Sequence, residues 1–178
     1  DYDCLVEELP LDGVEHVIDA GGGSGVLLRK LVDSRPELSG TLIDLPSVVD
    51  GVRDGGSLDR LKLVGGDIFD QWDCEGDLIV LARVLHDWSD EKAVAILQRA
   101  KEALAPGGKV AVVEYVLREE DADGSLLDLN MLVLCGSQER SFAEWEQLFT
   151  EAGLSLTEYR SLPTYGSLML FEVNNEKS

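Results

Sequence analysis

An apolar run that ends at an acidic residue and opens into glycines is the most constraining feature of this chain. Residues 17–20 (Val-Ile-Asp-Ala) are followed by residues 21–25 (Gly-Gly-Gly-Ser-Gly) and then by an apolar helical pattern. Glycine tolerates positive φ and lets a ligand approach the main chain. The first turn of a helix offers free N–H groups and the positive end of its dipole. This order predicts a strand, a tight turn and a helix that bind an anionic group of a small cofactor.

The glycine spacing bears on which cofactor is bound. A dinucleotide fingerprint, G-x-G-x-x-G, needs its third glycine where this chain has Val26, and Gly25 falls one residue early. Asp19 also precedes the loop by two residues. A nicotinamide cofactor is therefore disfavoured, although this alternative stays open. The pattern D-x-G-x-G-x-G resembles motif I of the class I S-adenosylmethionine-dependent methyltransferases.

Charge and length limit the remaining possibilities. A formal net charge of −20 disfavours nucleic acid and anionic membrane surfaces as partners. The three cysteines are few, widely spaced and odd in number, which fits a cytoplasmic protein rather than a disulfide scaffold. No apolar stretch is long enough to span a bilayer. We expect residues 1–178 to form a single domain.

Strand and helix patterns alternate along the chain and predict an α/β fold. This fold is a Rossmann-like, doubly wound and mostly parallel sheet with an antiparallel hairpin at its C-terminal edge. The predicted strands are residues 16–20, 40–44, 61–64, 78–82, 109–116, 154–161 and 167–173. The predicted helices are residues 24–34, 47–53, 90–104, 126–134 and 141–152, with residues 106–108 (Pro-Gly-Gly) ending the third.

Acidic residues follow the second and third predicted strands. Because ligands of such sheets lie outside the carboxyl ends of the strands, these residues are candidate cofactor ligands. Asp44 can accept hydrogen bonds from a ribose diol, with capping of the next helix as the alternative. Asp67 can accept a hydrogen bond from an adenine amino group while Ile68 and Phe69 cover the flat base. The alternative for Asp67 is an ordinary turn residue beside a core Phe.

A more specific resemblance begins after the fourth strand. Residues 85–88 (Leu-His-Asp-Trp) resemble the O-methyltransferases of plant phenylpropanoid and bacterial polyketide metabolism. Residues 43–46 (Ile-Asp-Leu-Pro), 105–108 (Ala-Pro-Gly-Gly) and 139–141 (Glu-Arg-Ser) are similar to further motifs of this family, in the same order. Together the motifs cover roughly residues 14–172.

The resemblance implies a role for each matching residue. His86 would be the general base, with a helix-capping or packed histidine as the alternative. Glu114 and Glu139 would flank and orient it, with solvated or ion-paired acids as the alternative. Gly21 and Gly23 would pack against the methionine part of the cofactor. The remaining implied cofactor residues are Asp19, Asp44, Leu45, Asp67, Ile68, Phe69 and Arg83. Arg83 stands where many relatives have Lys, and the two side chains are not equivalent.

The implied activity is transfer of a methyl group from S-adenosylmethionine to a hydroxyl of a small aromatic or polyketide-like molecule. Two alternatives stay open, namely a cofactor-binding domain without methyl transfer and a nicotinamide oxidoreductase. No set of carboxylates suggests a metal. Family members are about twice as long and begin with a dimerisation domain, which this sequence lacks, so a dimer or multidomain context through another segment is open.

Three further expectations concern single side chains. Met131, Leu132 and Cys135 are candidate walls of the acceptor pocket, with core packing as the alternative. His16 lies at the other end of the first strand and is expected to be structural. Trp88 is expected to pack beneath the following helix rather than to contact substrate.

Overall fold

The computed structural model describes residues 2–53, 59–117, 140–163 and 166–174. The helices are α1 (Tyr2–Glu8), α2 (Val26–Ser34), α3 (Pro46–Arg53), α4 (Asp90–Glu102) and α5 (Phe142–Glu151). The strands are β1 (His16–Ala20), β2 (Ser39–Asp44), β3 (Leu61–Gly65), β4 (Gly76–Ala82), β5 (Leu104–Glu114), β6 (Val116–Leu117), β7 (Arg140–Ser141), β8 (Leu154–Leu162) and β9 (Gly166–Val173).

Seven strands form one sheet in the order β3-β2-β1-β4-β5-β9-β8. The first five are parallel, whereas β9 pairs antiparallel with both β5 and β8. This arrangement confirms the predicted fold class, including the hairpin at the C-terminal edge. The strand order reverses between β1 and β4. The connections that follow these two strands therefore run to opposite sides of the sheet and leave a crevice at their carboxyl ends.

Both faces of the sheet are covered, which explains the continuous apolar run of β4. Leu78 and Val80 pack with α1 and α2 on one face. Ile79 and Leu81 pack with α4 and α5 on the other. A parallel strand buried on both faces reads as uninterrupted hydrophobic sequence because neither set of alternating side chains meets water.

Three boundaries and one helix differ from the sequence prediction for identifiable reasons. Helix α2 begins two residues late because Gly25 adopts a left-handed φ of 69°. Helix α4 ends at Glu102, since Leu104 already pairs with Gly76. Strand β5 therefore starts before the Pro-Gly-Gly turn rather than after it, and the pairing shifts register there. Helix α1, whose buried position is Leu5, was not predicted because seven residues carry too little periodicity.

The remaining predicted elements agree to within two residues, apart from the helix over 126–134, which lies outside the described residues. Within the described part of the chain, no helix is both long and apolar enough to cross a membrane.

Arg60 closes the connection between α2 and β2 from a distance in sequence. Its Nη1 lies 2.7–3.2 Å from four carbonyl oxygens, those of Val32, Arg35, Pro36 and Leu38. These include the carbonyls left without helical partners where α2 ends. Arg60 has a positive φ of 65°, so its backbone turns to bring the guanidinium over this helix end.

We expect Arg60→Lys to lower the free energy of unfolding by about 1–3 kcal/mol, because the ammonium of lysine ends one bond short of the Nη1 position and cannot keep all four carbonyl contacts. Urea denaturation measures the change. Arg53→Lys is the matched control, because the ion pair that Arg53 makes with Asp50 in the described part of the chain is exposed, and it should change stability by less than about 0.5 kcal/mol. Equal denaturation midpoints for both variants would contradict this assignment.

Candidate functional site

The carboxyl ends of four neighbouring parallel strands enclose a cleft of about 290 Å³. A second cavity of about 310 Å³ adjoins it and shares Gly21 and Arg83 with it. All nine residues that the sequence suggested for cofactor binding line one or both cavities. The first is lined by Gly21, Asp44, Leu45, Asp67, Ile68, Phe69 and Arg83, and the second by Asp19, Gly21, Gly23 and Arg83.

The glycine loop keeps its shape because side chains would not fit. Gly21 and Gly23 have φ values of 72° and 58°. A Cβ on Gly21 would lie 2.8 Å from the Val84 side chain, and one on Gly22 would overlap the carboxylate of Asp19. The loop therefore exposes main chain, rather than side chains, to both cavities.

Asp44 ties this loop to the end of β2. Its Oδ2 accepts a 2.8 Å hydrogen bond from the N–H of Gly23, and its Oδ1 accepts one of 2.7 Å from the N–H of Leu45. Each carboxylate oxygen keeps further accepting capacity towards the cleft. Asp44 thus shapes the loop and stays able to receive a ligand hydroxyl.

The segment after β3 forms the opposite wall of the cleft. Asp67 Oδ1 accepts a 3.0 Å hydrogen bond from the N–H of Phe69, which is the turn contact anticipated as the alternative for this residue. The ring of Phe69 meets that of Trp88 edge to face, with centroids 4.9 Å apart. Trp88 both packs against the core and lines the cleft, so the expectation that it only packs was incomplete.

Asp19 is a buried acid whose Oδ2 has no hydrogen-bond partner. Burial, reinforced by the negative charge of Asp44, raises its pKa from 3.8 to about 7, against the opposing effect of the Leu28 N–H. The group lies beside the exposed main chain of the glycine loop. An orphaned, half-titrated carboxyl here is suited to accept a hydrogen bond from a cationic donor.

Arg83 leaves β4 in a left-handed conformation, with φ at 60°. Its Nη1 lies 3.2 Å from Oε2 of Glu114, and its guanidinium stacks 4.2 Å from the ring centroid of Tyr115. The side chain is therefore anchored on β5 while its charge faces both cavities.

His86 lies in a single 3₁₀ turn, Leu85–Asp87, between β4 and α4. Its Nδ1 is 2.8 Å from Oε2 of Glu114, and its Nε2 is 3.2 Å from Oδ1 of Asp87. The fully buried Glu114 also accepts hydrogen bonds from the main-chain N–H groups of Leu85 and His86. The shorter contact, at Nδ1, is a hydrogen bond to an oxygen that only accepts, so the proton of a neutral imidazole lies on Nδ1 and the lone pair lies on Nε2.

The sequence missed two residues of this site. Asp87 lines the cleft beside His86, and its place directly after the histidine was the available signal. Arg140 lies 50 or more residues from its contacts with the turn and with Asp90, and the motif over residues 139–141 that contains it was the available signal. His16 hydrogen-bonds Ser39 and Thr41 at the other end of β1, as expected for a structural residue.

Some predicted site residues lie outside the described part of the chain. These are Glu139 and the candidate acceptor-pocket residues Met131, Leu132 and Cys135. Among the residues that are described, no three His, Cys, Asp or Glu side chains meet as a metal site.

Comparison with known proteins identifies the family. The sequence model of the O-methyltransferase domain matches residues 2–155. The chain belongs to this family. It is 41% identical over 175 residues to a phenazine O-methyltransferase of Lysobacter antibioticus, covering 95% of this chain and 51% of that protein. It is 41% identical over 160 residues to the 2,7-dihydroxy-5-methyl-1-naphthoate 7-O-methyltransferase of Streptomyces carzinostaticus, covering 88% and 48%.

Solved structures agree with this assignment. An O-methyltransferase of neocarzinostatin biosynthesis, bound to S-adenosylhomocysteine and 1,4-dihydroxy-2-naphthoic acid, has a TM-score of 0.87 and 38% identity, covering 97% of this chain and 53% of that one. Human N-acetylserotonin methyltransferase, bound to S-adenosylmethionine, has a TM-score of 0.87 and 29% identity, covering 97% and 51%. The chain spans about half the length of the curated relatives it matches.

The raised pKa of Asp19 makes stability depend on pH. The folded protein keeps this proton up to about pH 7, whereas the unfolded chain releases it near 3.8, so stability falls as pH rises between these values. Asp19→Asn removes the titration. We expect the variant to gain about 2–3 kcal/mol relative to the unmodified protein between about pH 5 and about pH 8, measured by denaturation.

The exposed Asp33 on α2 provides the control for this experiment. Asp33→Asn should follow the curve of the unmodified protein across the same range. A constant stability difference between Asp19→Asn and the unmodified protein would contradict a raised pKa for Asp19.

Proposed function

We propose that this chain binds S-adenosylmethionine across the carboxyl ends of β1 to β4 and methylates a hydroxyl of a small aromatic or polyketide-like acceptor, with His86 as general base. The observation that carries the proposal is the pairing of His86 with the buried Glu114. His86 itself does not line the cleft, but Asp87 and Arg83, which contact this pair, do. Residues 1–178 are proposed to form one domain, which the single seven-stranded sheet supports.

The residues of the two cavities fit this cofactor. The orphaned Oδ2 of Asp19 suits its ammonium group, and Arg83 suits its carboxylate. Gly21 lines both cavities without a side chain, so the methionine part can lie against the main chain there. Asp44 can accept from the ribose hydroxyls.

The far wall of the first cleft suits the base of the cofactor. Leu45, Ile68 and Phe69 offer apolar faces to an adenine ring, and Asp67 keeps accepting capacity for its amino group. The buried carboxyl of Asp19 lies in the second cavity, whereas the apolar side chains of Leu45, Ile68 and Phe69 lie in the first. The continuity of the two cavities through Gly21 and Arg83 supports a ligand that has both a polar tail and an apolar ring.

Bound S-adenosylmethionine supplies a methyl group on a positively charged sulfur. The protein has to hold the acceptor oxygen in line and remove its proton, because a phenol with a pKa near ~10 is almost wholly protonated at neutral pH. Nε2 of His86 is the nitrogen available for that proton. Glu114 on Nδ1 and Asp87 beside Nε2 stabilise the resulting imidazolium between two carboxylates.

The class of acceptor is proposed from the relatives. Two of them are named for phenazine and naphthoate substrates, and one solved neighbour holds a dihydroxynaphthoic acid. All of these are flat aromatic molecules, and two of the three are hydroxylated acids. We therefore propose a fused-ring aromatic hydroxyl as the acceptor.

Cofactor binding is tested by thermal shift. S-adenosylhomocysteine at about 100 times its Kd should stabilise the chain by about 2.7 kcal/mol, which raises Tm by several degrees. Asp44→Ala should abolish this shift because the ribose site and the loop anchor are both lost. Asp50→Ala on the exposed side of α3 should retain it.

A comparison with NAD under the same conditions distinguishes the remaining cofactor class. No shift with S-adenosylhomocysteine, or a larger one with NAD, would refute the proposed cofactor.

The role of His86 is tested by turnover with hydroxynaphthoic acids as acceptors, measured as S-adenosylhomocysteine formed. His86→Ala should lower kcat by about 10²–10⁴-fold with an unchanged Kd for S-adenosylhomocysteine. His16→Gln is the matched control and should leave kcat unchanged, because His16 lies at the other end of the sheet. Full activity of His86→Ala would exclude the base role, and cofactor binding with no turnover on any acceptor would favour a binding domain.

A further inference from the structure

The turn that carries His86 has weak internal support. It is three residues long, and no side chain caps its N-terminus. Its own main-chain hydrogen bonds, Asp87 N–H to Val84 and Trp88 N–H to Leu85, are long at 3.4 and 3.2 Å. Such a short 3₁₀ segment does not fix a side chain by itself. The position of the imidazole must be set by contacts from elsewhere in the fold.

Glu114 supports the donor side of this turn. Its Oε1 accepts from the N–H groups of Leu85 and His86, at 2.9 and 3.3 Å. The other oxygen of this carboxylate, Oε2, accepts a hydrogen bond from Nδ1–H of the His86 imidazole. The carbonyl side of the turn needs a separate partner, because a carboxylate cannot donate.

Arg140 is that partner. Its Nη1 donates to the carbonyl of Leu85 at 3.2 Å, and its Nη2 donates to the carbonyl of Trp88 at 2.6 Å. These two carbonyls lie on either side of His86 and Asp87. The planar fork of arginine can span both, whereas the single ammonium of lysine cannot.

The surroundings hold Arg140 rigidly. The side chain is 2% exposed, its Nε donates to Oδ1 of Asp90 at 2.9 Å, and its guanidinium lies 4.9 Å from the ring centroid of Trp145. Main-chain pairing of Arg140 with Val116 places it just beyond the end of β5, which carries Glu114. A buried cation is expensive unless fully hydrogen-bonded, and here its acceptors belong to the His86 turn and to Asp90 at the start of α4.

We propose that Arg140 is a positioning residue for methyl transfer, which holds the carbonyl side of the Leu85–Asp87 turn so that the imidazole of His86 stays on Glu114 with Nε2 available. The proposal rests on the base role assigned to His86 above. In this arrangement, two buried side chains of opposite charge hydrogen-bond the same turn. Glu114 binds its N–H groups and Arg140 binds its carbonyl groups.

The chain contains two histidines, which makes a direct test possible. In ¹⁵N-resolved NMR spectra of the full 178-residue chain, Arg140→Lys should shift or broaden the ring signals of His86 and should abolish its protected Nδ1 proton. The signals of His16 should stay unchanged and report an intact fold. Asp90→Ala, which removes an exposed partner of Arg140, should shift the His86 signals in the same direction by a smaller amount.

Kinetics provide the second readout. Arg140→Lys should lower kcat by roughly 10–100-fold while the Kd for S-adenosylhomocysteine stays within about twofold, because misplacing a base leaves cofactor binding intact. Arg60→Lys is the matched control, since it also disturbs contacts between an arginine and main-chain carbonyls, but far from the turn. It should lose stability without altering kcat or the His86 signals.

Two results would overturn the proposal. One is an unchanged His86 ring spectrum in both Arg140→Lys and Asp90→Ala. The other is an equal loss of kcat in Arg60→Lys. If instead His86→Ala keeps full turnover while Arg140→Lys still moves the ring signals, the base role fails and the positioning contact stands.

Discussion

The buried carboxylate of Glu114 is the interaction on which the site depends. It lies at the end of β5, beside the end of β4, and is fully excluded from solvent. The imidazole of His86, two main-chain N–H groups and the guanidinium of Arg83 all converge on it. A buried carboxylate without such donors would destabilise the fold strongly. Because these donors are present, one acid holds both the proposed base, His86, and Arg83, the cation that faces the two cavities.

The electrostatics around this centre favour a ligand with cationic parts. Asp19, Asp44, Asp67 and Asp87 line the two cavities, and Arg83 is the one cation among their described lining residues. Burial of Asp19, reinforced by the charge of Asp44, raises its pKa to about 7. An ammonium or sulfonium charge on the ligand would reduce the repulsion between these carboxylates. A carboxylate on the same ligand could pair with Arg83.

Periodicity and glycine placement predicted most of the fold, since both act locally. The apolar runs of β1 and β4 and the left-handed glycines of the loop follow from residue type and spacing alone. The boundaries at α2 and β5 were wrong by two to five residues. There, a single backbone conformation at Gly25 and the pairing of Leu104 with Gly76 overrode the local pattern. Helix α1 was missed because its stability comes from burying Leu5 against other elements.

The sequence by itself determined the wound sheet, the glycine loop and the acids at the strand ends, because each depends on neighbours within a few positions. Which of those acids would be buried could not be read from it. Assembly of the strands buries Oδ2 of Asp19 without a hydrogen-bond partner among the described residues. The same assembly brings four hydrogen-bond donors to the carboxylate of Glu114. The carbonyl contacts of Arg140 span 50 residues or more of sequence. Tertiary structure alone decided how His86 is held, because a three-residue turn has too few internal hydrogen bonds to hold it.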